Sequence, residues 1–250
     1  MPSIESMIIV TLTFLLAGTV KGVTGLGLPS VSLALLTAIL GLKAAMAILL
    51  VPSFVTNVWQ AAVGGHLTAI LRRTWSLLLV LCVATWFGAG ILAKANADLL
   101  AGLLGVVLCI YALTGLMQLY PPRPGRHEAW LSPLVGAVSG LLNGMTGSFV
   151  VPGVFYLQAL RFSREGFIQS MGVLFTTSTI ALAVALQNQR LLSQELAILS
   201  VTAVVPALVG MVLGQVVRQR LSEAAFRTVF FASLLVMGAY IGLRAVPVLW

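Results

Sequence analysis

The chain has 250 residues, of which 60% are hydrophobic and only 8% are charged. Its mean hydropathy of +1.08 lies outside the range of soluble domains, and several apolar runs approach the roughly 20 residues that a membrane-spanning helix needs. The basic residues behind the net charge of +8 stand singly or in pairs between these runs, which is typical of topology determinants and excludes a nucleic-acid site. The composition therefore predicts an all-helical, multi-pass membrane protein.

Eight apolar segments follow one another along the chain. Two of them, 7–41 and 130–160, are interrupted by glycine and proline. The other six are 44–64, 75–93, 99–119, 166–186, 192–216 and 225–243. The longest polar stretch between segments, 120–128, contains three prolines and two arginines. We interpret residues 121–129 as a linker between an N-terminal repeat, 1–120, and a C-terminal repeat, 130–250.

Glycines and prolines recur in the same order in both halves, with an offset that drifts from 118 to 122. The matches are Gly18-Thr-Val-Lys-Gly22 with Gly136-Ala-Val-Ser-Gly140, Pro52 with Gly172, Thr56-Asn57 with Thr176-Thr177, and Gly88 with Gly210. This shared order predicts an internal duplication, which is common in secondary transporters. We interpret Gly88, Gly90, Gly210 and Gly214 as positions of close helix packing.

The stretch from Leu16 to Ser32 breaks the first segment with four glycines and Pro29, which an uninterrupted helix would not favour. A second break at 139–152 has the same character. Backbone outside a helix cannot face lipid, so each break must be buried in protein or line a cavity. Transporters place substrate sites at such breaks, and the sequence therefore predicts that hairpins 16–32 and 139–152 meet at mid-membrane around a substrate.

The basic residues distinguish two topologies. If both interrupted segments cross the membrane once, lysine and arginine other than Lys21 divide seven against six, which is no bias. If both are re-entrant hairpins, the division is nine against four, which obeys the positive-inside rule. The nine are Arg72, Arg73, Arg123, Arg126, Arg161, Arg164, Arg218, Arg220 and Arg227.

The lengths of the two parts of each interrupted segment also favour re-entrant hairpins. Stretches such as 7–20 and 31–41 are too short to cross the membrane but are long enough to reach about its midplane. We therefore predict six full spans and two inverted repeats, each with three transmembrane helices and one broken hairpin. Both termini would then lie in the periplasm.

Lys21 is the one charge that cannot be assigned to a loop or to a segment end, whereas all six acidic residues lie at segment ends or in loops. A lysine at membrane depth is costly unless it is solvated or paired, so an anionic substrate is its natural partner. Helices that restart after the breaks, with Ser30 or Ser148 as N-cap, would add N–H groups and the positive end of the dipole. The alternative is that Lys21 snorkels to the interface or lies against carbonyl groups at a hairpin tip.

Other polar side chains in the apolar segments complete the predicted site. Asn57 and Gln60 share a helix face, and donation to substrate oxygens or interhelical bonding would each explain them. The predicted substrate-binding residues are Lys21, Gly22, Gly25, Gly27, Ser30, Asn57, Gln60, Ser139, Asn143, Gly144, Thr146, Gly147, Ser148, Gln169, Thr176 and Thr177.

The sequence lacks the motifs of an enzyme or an ATP-driven pump. It has no His-x-x-x-His, no paired carboxylates in an apolar segment and no phosphate-binding Gly-x-x-x-x-Gly-Lys-Ser/Thr, so no metal or cofactor is predicted. A proton or a sodium ion is the candidate coupling ion, and a proton would travel on the substrate, His66 or Lys21. The expected partners are a small anion and membrane lipid, and the oligomeric state stays open.

Three motifs carry a resemblance to a known family: Lys21-Gly-Val-Thr-Gly-Leu-Gly-Leu-Pro29, Val51-Pro-Ser-Phe-Val-Thr-Asn-Val-Trp-Gln60 and Asn143-Gly-Met-Thr-Gly-Ser-Phe-Val-Val-Pro152. Together they resemble the sulfite exporter TauE/SafE permeases, of the 4-toluene sulfonate uptake permease type. The resemblance implies a secondary transporter in the bacterial inner membrane for sulfite, sulfonates or related organic acids. The family's Gly-Gly-Gly is replaced here by Gly25-Leu-Gly27 and Thr146-Gly147-Ser148.

The leading hypothesis is a secondary transporter that binds a small anion and works by alternating access. An anion channel with a basic pore is a second reading, since it would need the same positive cavity without alternating gates. A non-catalytic subunit of a membrane assembly is a third.

Overall fold

A computed structural model of the chain describes residues 2–119, 121–218 and 222–246. Within these ranges the regular structure is entirely helical, as the composition predicts. The helices are α1 (Ile4–Thr24), α2 (Leu28–Leu40), α3 (Leu42–Ile48), α4 (Leu50–Ala62), α5 (Leu67–Lys94), α6 (Ala97–Leu116), α7 (Glu128–Thr146), α8 (Gly153–Ala159), α9 (Arg164–Asn188), α10 (Gln194–Thr202), α11 (Val204–Arg218) and α12 (Glu223–Ala245), with a 3-10 turn at Gly125–His127. Tyr120, in the polar stretch before the second half, and Arg220, in the charge count, lie outside the described residues.

Short polar side chains explain where several helices begin. Ser3, Ser163, Ser193 and Ser222 each accept a hydrogen bond of 3.1–3.2 Å from the backbone N–H three residues later. Five acidic residues lie in first turns: Glu5, Asp98, Glu128, Glu165 and Glu195. A serine cap and a negative charge both stabilise the positive end of a helix, so these acids occupy helix ends and not helix centres.

Six helical segments of the described chain are long and apolar enough to cross a membrane. They are Ile4–Thr24, Leu67–Lys94, Ala97–Leu116, Arg164–Asn188, Gln194–Arg218 and Ala224–Ala245. α3 and α4 together would form a seventh, bent by 43° at Leu49. This bend follows Ile48, the residue whose carbonyl group the ring of Pro52 would meet in a straight helix. Pro52 therefore accounts for the bend between α3 and α4.

Gly172 does not have the matching effect in the second half. α9 runs unbroken from Arg164 to Asn188, and Gly172 lies inside it. A Cβ atom at this position would lie 2.4 Å from the backbone nitrogen of Ala61. Gly172 therefore allows α9 to approach α4 closely and does not loosen the helix.

The first break lies later in the chain than the glycine pattern indicates. Gly18 and Gly22 lie inside α1, which runs unbroken over 21 residues, and only Gly25, Leu26 and Gly27 separate it from α2. At 1.5 Å per residue α1 is about 31 Å long, so the prediction that its first arm is too short to span is wrong. The second break covers residues 147–152 and does not begin at 139, because α7 continues to Thr146.

The described helices belong to two compact units, each built from separate stretches of chain. Unit 1 comprises Met1–Pro52, Ala95–Gln118 and Leu191–Trp250, and unit 2 comprises Ser53–Lys94 and Leu119–Arg190. These boundaries differ from the predicted division at residues 121–129. The reason is that α1 pairs with α11 and α7 pairs with α5, so each unit draws helices from both halves of the chain.

In unit 1, glycines let α1 pack directly against the backbone of α11. A Cβ atom at Gly18 would lie 2.2 Å from the carbonyl oxygen of Ala207, and one at Gly22 would lie 2.2 Å from that of Met211. From the other side, a Cβ atom at Gly210 or Gly214 would be equally close to α1. The close-packing prediction is thus confirmed for Gly210 and Gly214, and side-chain-free contact of this kind is typical of membrane helices.

In unit 2, α7 packs against α5 in the same way. Cβ atoms at Gly140 and Gly144 would lie 2.3 Å from the carbonyl oxygens of Leu81 and Thr85, respectively. A Cβ atom at Gly88 would lie 2.4 Å from the carbonyl oxygen of Leu141, which confirms its predicted packing role. Gly90 differs, because the nearest atom to its Cβ position is 3.8 Å away and belongs to Gln189.

The close helix contacts within unit 1 recur at equivalent residues within unit 2. The equivalent residues are shifted by four positions, about one helical turn, from the pairs that the sequence predicted. The structurally equivalent pairs are Gly18 with Gly140, Gly22 with Gly144, Ala207 with Leu81, and Gly214 with Gly88. The predicted pairing of Gly18 with Gly136 and of Gly88 with Gly210 is therefore wrong. Glycines recur every four residues at 136, 140 and 144, so their spacing alone could not fix the register.

Candidate substrate site at two helix breaks

The first break, in unit 1, begins with a left-handed glycine. Gly25 has φ 77° and ψ −1°, and its N–H donates to the carbonyl oxygen of Lys21 at 2.7 Å. Glycine adopts this conformation without steric cost, and it is a frequent helix stop. Thr24 supports the turn, since its hydroxyl donates to the carbonyl of Val20 at 2.9 Å and accepts from the N–H of Leu26 at 3.1 Å.

Lys21 lies in the last turn of α1 and is only 4% exposed. A positive charge at the C-terminal end of a helix is attracted to the negative end of the helix dipole, so this position is favourable for lysine. A snorkelling lysine keeps its ammonium group in water, so this burial argues against the snorkelling alternative. The structure thus places a buried lysine four residues before the glycine that ends the helix.

The second break, in unit 2, repeats this local geometry. Gly147 has φ 73° and ψ 0°, and its N–H donates to the carbonyl oxygen of Asn143 at 2.8 Å. The hydroxyl of Thr146 donates to the carbonyl of Leu142 at 2.7 Å and accepts from the N–H of Ser148 at 3.2 Å. Lys21-Gly-Val-Thr-Gly25 and Asn143-Gly-Met-Thr-Gly147 are therefore equivalent helix ends, and Asn143 stands where the first copy has Lys21.

The helices that restart after the breaks differ from the prediction. α2 begins at Leu28 after Gly27, which has φ 95°, and Ser30 is its third residue. α8 begins at Gly153 after Pro152 and has only seven residues, while Ser148 lies in the loop before it. Neither serine is an N-cap, so that prediction is wrong. Proline at the second position of α2 accounts for the start of this helix, because its ring fixes a helical φ.

Asn57 belongs to a buried hydrogen-bonded cluster in unit 2. Its amide nitrogen donates to Ser53 Oγ at 3.0 Å, and Ser53 Oγ lies 3.2 Å from Thr179 Oγ1. Thr179 also donates to the carbonyl of Phe175 at 2.8 Å. Ser53 was not predicted as a site residue, although its position four residues before Asn57 places the two side chains on one helix face.

Gln60 and Gln169 cross-link α4 and α9. The amide nitrogen of Gln60 donates to the carbonyl of Ile168 at 3.0 Å, and that of Gln169 donates to the carbonyl of Ala61 at 2.8 Å. The amide oxygen of Gln169 accepts from the N–H of His66 at 2.8 Å. These contacts match the interhelical reading of the polar side chains in these two helices.

Asn143 lies at the centre of a second buried cluster in unit 2. Its amide nitrogen donates to Thr85 Oγ1 at 3.2 Å and to the backbone carbonyl of Ser178 at 3.0 Å. Its amide oxygen, Ser139 Oγ and Ser178 Oγ are buried without a hydrogen-bond partner among the described residues. Each such atom costs about 1–3 kcal/mol, so three together call for an explanation. Thr85 was missed because a single hydroxyl in an apolar helix usually bonds back to its own backbone.

The remaining predicted residues are less informative. Thr176 Oγ1 is also buried with no partner in the described chain, but it lies two residues from Ser178 and so points to a different face of α9. Thr177 is half-buried.

Two grooves of about 410 and 660 Å³ lie on unit 2, and neither is lined by a predicted site residue. Within the described ranges, no group of three or more His, Cys, Asp or Glu side chains could hold a metal ion.

The six long apolar helical segments of the described chain define a multi-pass membrane protein. The family model "Sulfite exporter TauE/SafE" matches residues 10–241, nearly the whole chain. The chain therefore belongs to the TauE/SafE family of membrane transporters, which are of the anion-exporter type. Comparisons with curated proteins and with solved structures gave no match.

Proposed function

We propose that the chain is a secondary transporter of a small anion, such as sulfite, an organosulfonate or a related organic acid, in the bacterial inner membrane. The family supports this class of substrate, and the apolar helices support the location in a membrane. The observation that carries the proposal is the burial of Lys21 in the last turn of an apolar helix beside a break. An ionisable side chain at membrane depth is costly, and such residues mark substrate or ion pathways.

The proposed anion site is centred on the first break. Lys21 supplies the positive charge, and Gly25 and Gly27 let the backbone turn close to the substrate. The free N–H groups at the start of α2, together with the hydroxyl group of Ser30 in its first turn, would donate hydrogen bonds to substrate oxygens. Ser30 is 3% exposed, so these donors would act in surroundings with little competing water.

The inverted arrangement of the two repeats is a further part of the proposal. The equivalent helix ends at Gly25 and Gly147 support a duplication. Although α1 is long enough to span, the division of basic residues, nine against four, favours a re-entrant path for both interrupted segments, and with it the inversion. With two re-entrant hairpins, both termini lie in the periplasm, and rocking of the repeats would give alternating access. Reporter fusions that fluoresce only in the cytoplasm should be dark at both ends, and a bright signal at either end would contradict this topology.

Counterflow in proteoliposomes tests the transport function. We expect radiolabelled sulfite or a short sulfonate to enter vesicles preloaded with the unlabelled anion, with saturable kinetics. Loss of one charged hydrogen bond is worth about 1.5–3 kcal/mol, so Lys21→Met should reduce this flux at least about tenfold. Lys94→Met, at an exposed lysine ending α5, is the matched control and should leave it unchanged. Unitary currents without counterflow would indicate a channel instead.

A further inference from the structure

The unpaired oxygens around Asn143 have a fixed orientation. Both hydrogens of the Asn143 amide are engaged, one by Thr85 Oγ1 and one by the carbonyl of Ser178. The hydroxyl group of Thr85 donates to the carbonyl of Leu81 at 2.8 Å, so it must accept from Asn143. The amide cannot flip without losing both bonds, and its oxygen therefore accepts only. A ligand at this oxygen must be a hydrogen-bond donor or a cation.

Two hydroxyl groups accompany this oxygen. Ser139 lies four residues before Asn143, on the same face of α7, and Ser178 is joined to Asn143 through its own carbonyl group. All three residues are fully buried, and Ser139 Oγ, Asn143 Oδ1 and Ser178 Oγ have no hydrogen-bond partner in the described part of the chain. The cluster is made of neutral oxygen atoms, which are ligands suited to a hard cation of low charge.

Comparison of the two equivalent helix ends shows that α7 has no positive charge where α1 has one. Asn143 is the equivalent of Lys21, since each accepts the N–H of the left-handed glycine that ends its helix. The last turn of α1 contains Lys21, whereas the last turn of α7 contains no basic residue. The negative pole of the α7 dipole is thus without the cation that its counterpart has. Coupling ions in transporters are bound by the C-terminal ends of broken helices.

We propose that Ser139 Oγ, Asn143 Oδ1 and Ser178 Oγ bind a sodium ion, which takes the place at the end of α7 that the Lys21 ammonium group takes at the end of α1. A monovalent ion fits better than Ca²⁺ or Mg²⁺, because those ions prefer carboxylate ligands and the cluster has none. Binding of the ion rests on the three buried oxygen atoms that have no partner among the described residues. Its role as the coupling ion rests on the proposed function.

Sodium binding by the purified full-length protein tests the site without any transport assay. We expect NaCl to raise the melting temperature relative to equal concentrations of KCl and N-methyl-D-glucamine chloride, and ²²Na⁺ to bind saturably. Asn143→Ala, Ser139→Ala and Ser178→Ala should each weaken sodium binding at least tenfold. Asn188→Ala, at an exposed asparagine in the last turn of α9, is the matched control and should not change it.

Asn143→Lys is the sharpest variant, because it supplies a built-in cation like that of Lys21. It should abolish sodium binding and make the melting temperature independent of NaCl. If it fails to elute as a single species, Ser139→Ala/Ser178→Ala, which adds no bulk, replaces it and should abolish saturable ²²Na⁺ binding. Equal stabilisation by all three salts, or sodium binding that persists in Asn143→Ala, would overturn the proposal.

Transport measured in parallel separates this proposal from the proposed function. Anion counterflow without sodium binding would overturn the sodium site and leave the transporter intact. Saturable sodium binding that depends on Asn143, in a protein that moves no anion, would retain the site and overturn the proposed function.

Discussion

Lys21 and Asn143 hold the same position in two equivalent helix ends. The N–H of Gly25 donates to the carbonyl of Lys21 at 2.7 Å, and the N–H of Gly147 donates to that of Asn143 at 2.8 Å. In both copies a glycine follows the residue and a threonine precedes the left-handed glycine. The backbone is repeated while the side chain changes from a cation to a neutral amide, so the two breaks have the same shape and different electrostatics.

Close helix packing predicts a large penalty for a single methyl group. Gly22→Ala and Gly144→Ala would each place a Cβ atom within 2.3 Å of a carbonyl oxygen on the facing helix. The helices must then separate, so we expect each variant to lose about 1–3 kcal/mol of stability, measured as a lower melting temperature in detergent. Gly90→Ala is the control, because its nearest neighbour is 3.8 Å away. An unchanged melting temperature for Gly22→Ala would contradict the packing of α1 on α11.

The left-handed turn at Gly25 predicts a backbone effect free of any clash. No atom lies within 4 Å of its Cβ position, yet its φ is 77°. Gly25→Ala should therefore destabilise the protein by about 1–2 kcal/mol through conformation alone, whereas Gly25→Asn should cost less because asparagine tolerates this region. Thermal unfolding of both variants measures the difference. Equal melting temperatures for the two would show that the turn is not strained.

Gln169 distinguishes a structural role from a binding role. Gln169→Met removes the partners of the His66 N–H and the Ala61 carbonyl. We expect a loss of about 1–3 kcal/mol in stability per group left without a partner, with an unchanged KM for the transported anion. Gln187→Met, at an exposed position of the same helix, should change neither quantity. A raised KM at normal stability would instead place Gln169 in contact with the substrate.

A bidentate ion pair joins α5 to the start of α7. Arg73 Nε and Nη2 donate to the two carboxylate oxygens of Glu128 at 2.6 and 2.8 Å, and Arg73 Nη1 donates to the carbonyl of Leu160 at 3.0 Å. In Glu128→Gln, Arg73 keeps its hydrogen bond to the carbonyl of Leu160, whereas Arg73→Gln loses both partners. Arg73→Gln should therefore destabilise the protein more than Glu128→Gln. A double-mutant cycle on the free energy of unfolding should give a coupling energy between Arg73 and Glu128 of about 0.5–1 kcal/mol. Zero coupling energy would show that the ion pair does not contribute to stability.

The sequence predicted the helical class, the family and two glycine-rich breaks, because composition and motif order carry that information. It misplaced the breaks, because glycine within a membrane helix serves packing as well as flexibility. Gly18 and Gly22 look like helix breakers, and only their contact with α11 shows that they are not. Lys21 and Asn143 were predicted as site residues, but their equivalence was not, since it depends on a register that repeated glycines leave ambiguous.

Anion binding to the purified protein tests the central role of Lys21 most directly. Melting temperatures are measured across concentrations of sulfite, short sulfonates and short carboxylates, for wild type, Lys21→Met and Lys94→Met. A ligand that binds only the folded state raises the melting temperature, so at least one anion should stabilise wild type and Lys94→Met. The same anion should leave Lys21→Met unchanged. An equal shift in all three proteins would contradict the assignment of Lys21 to the anion site.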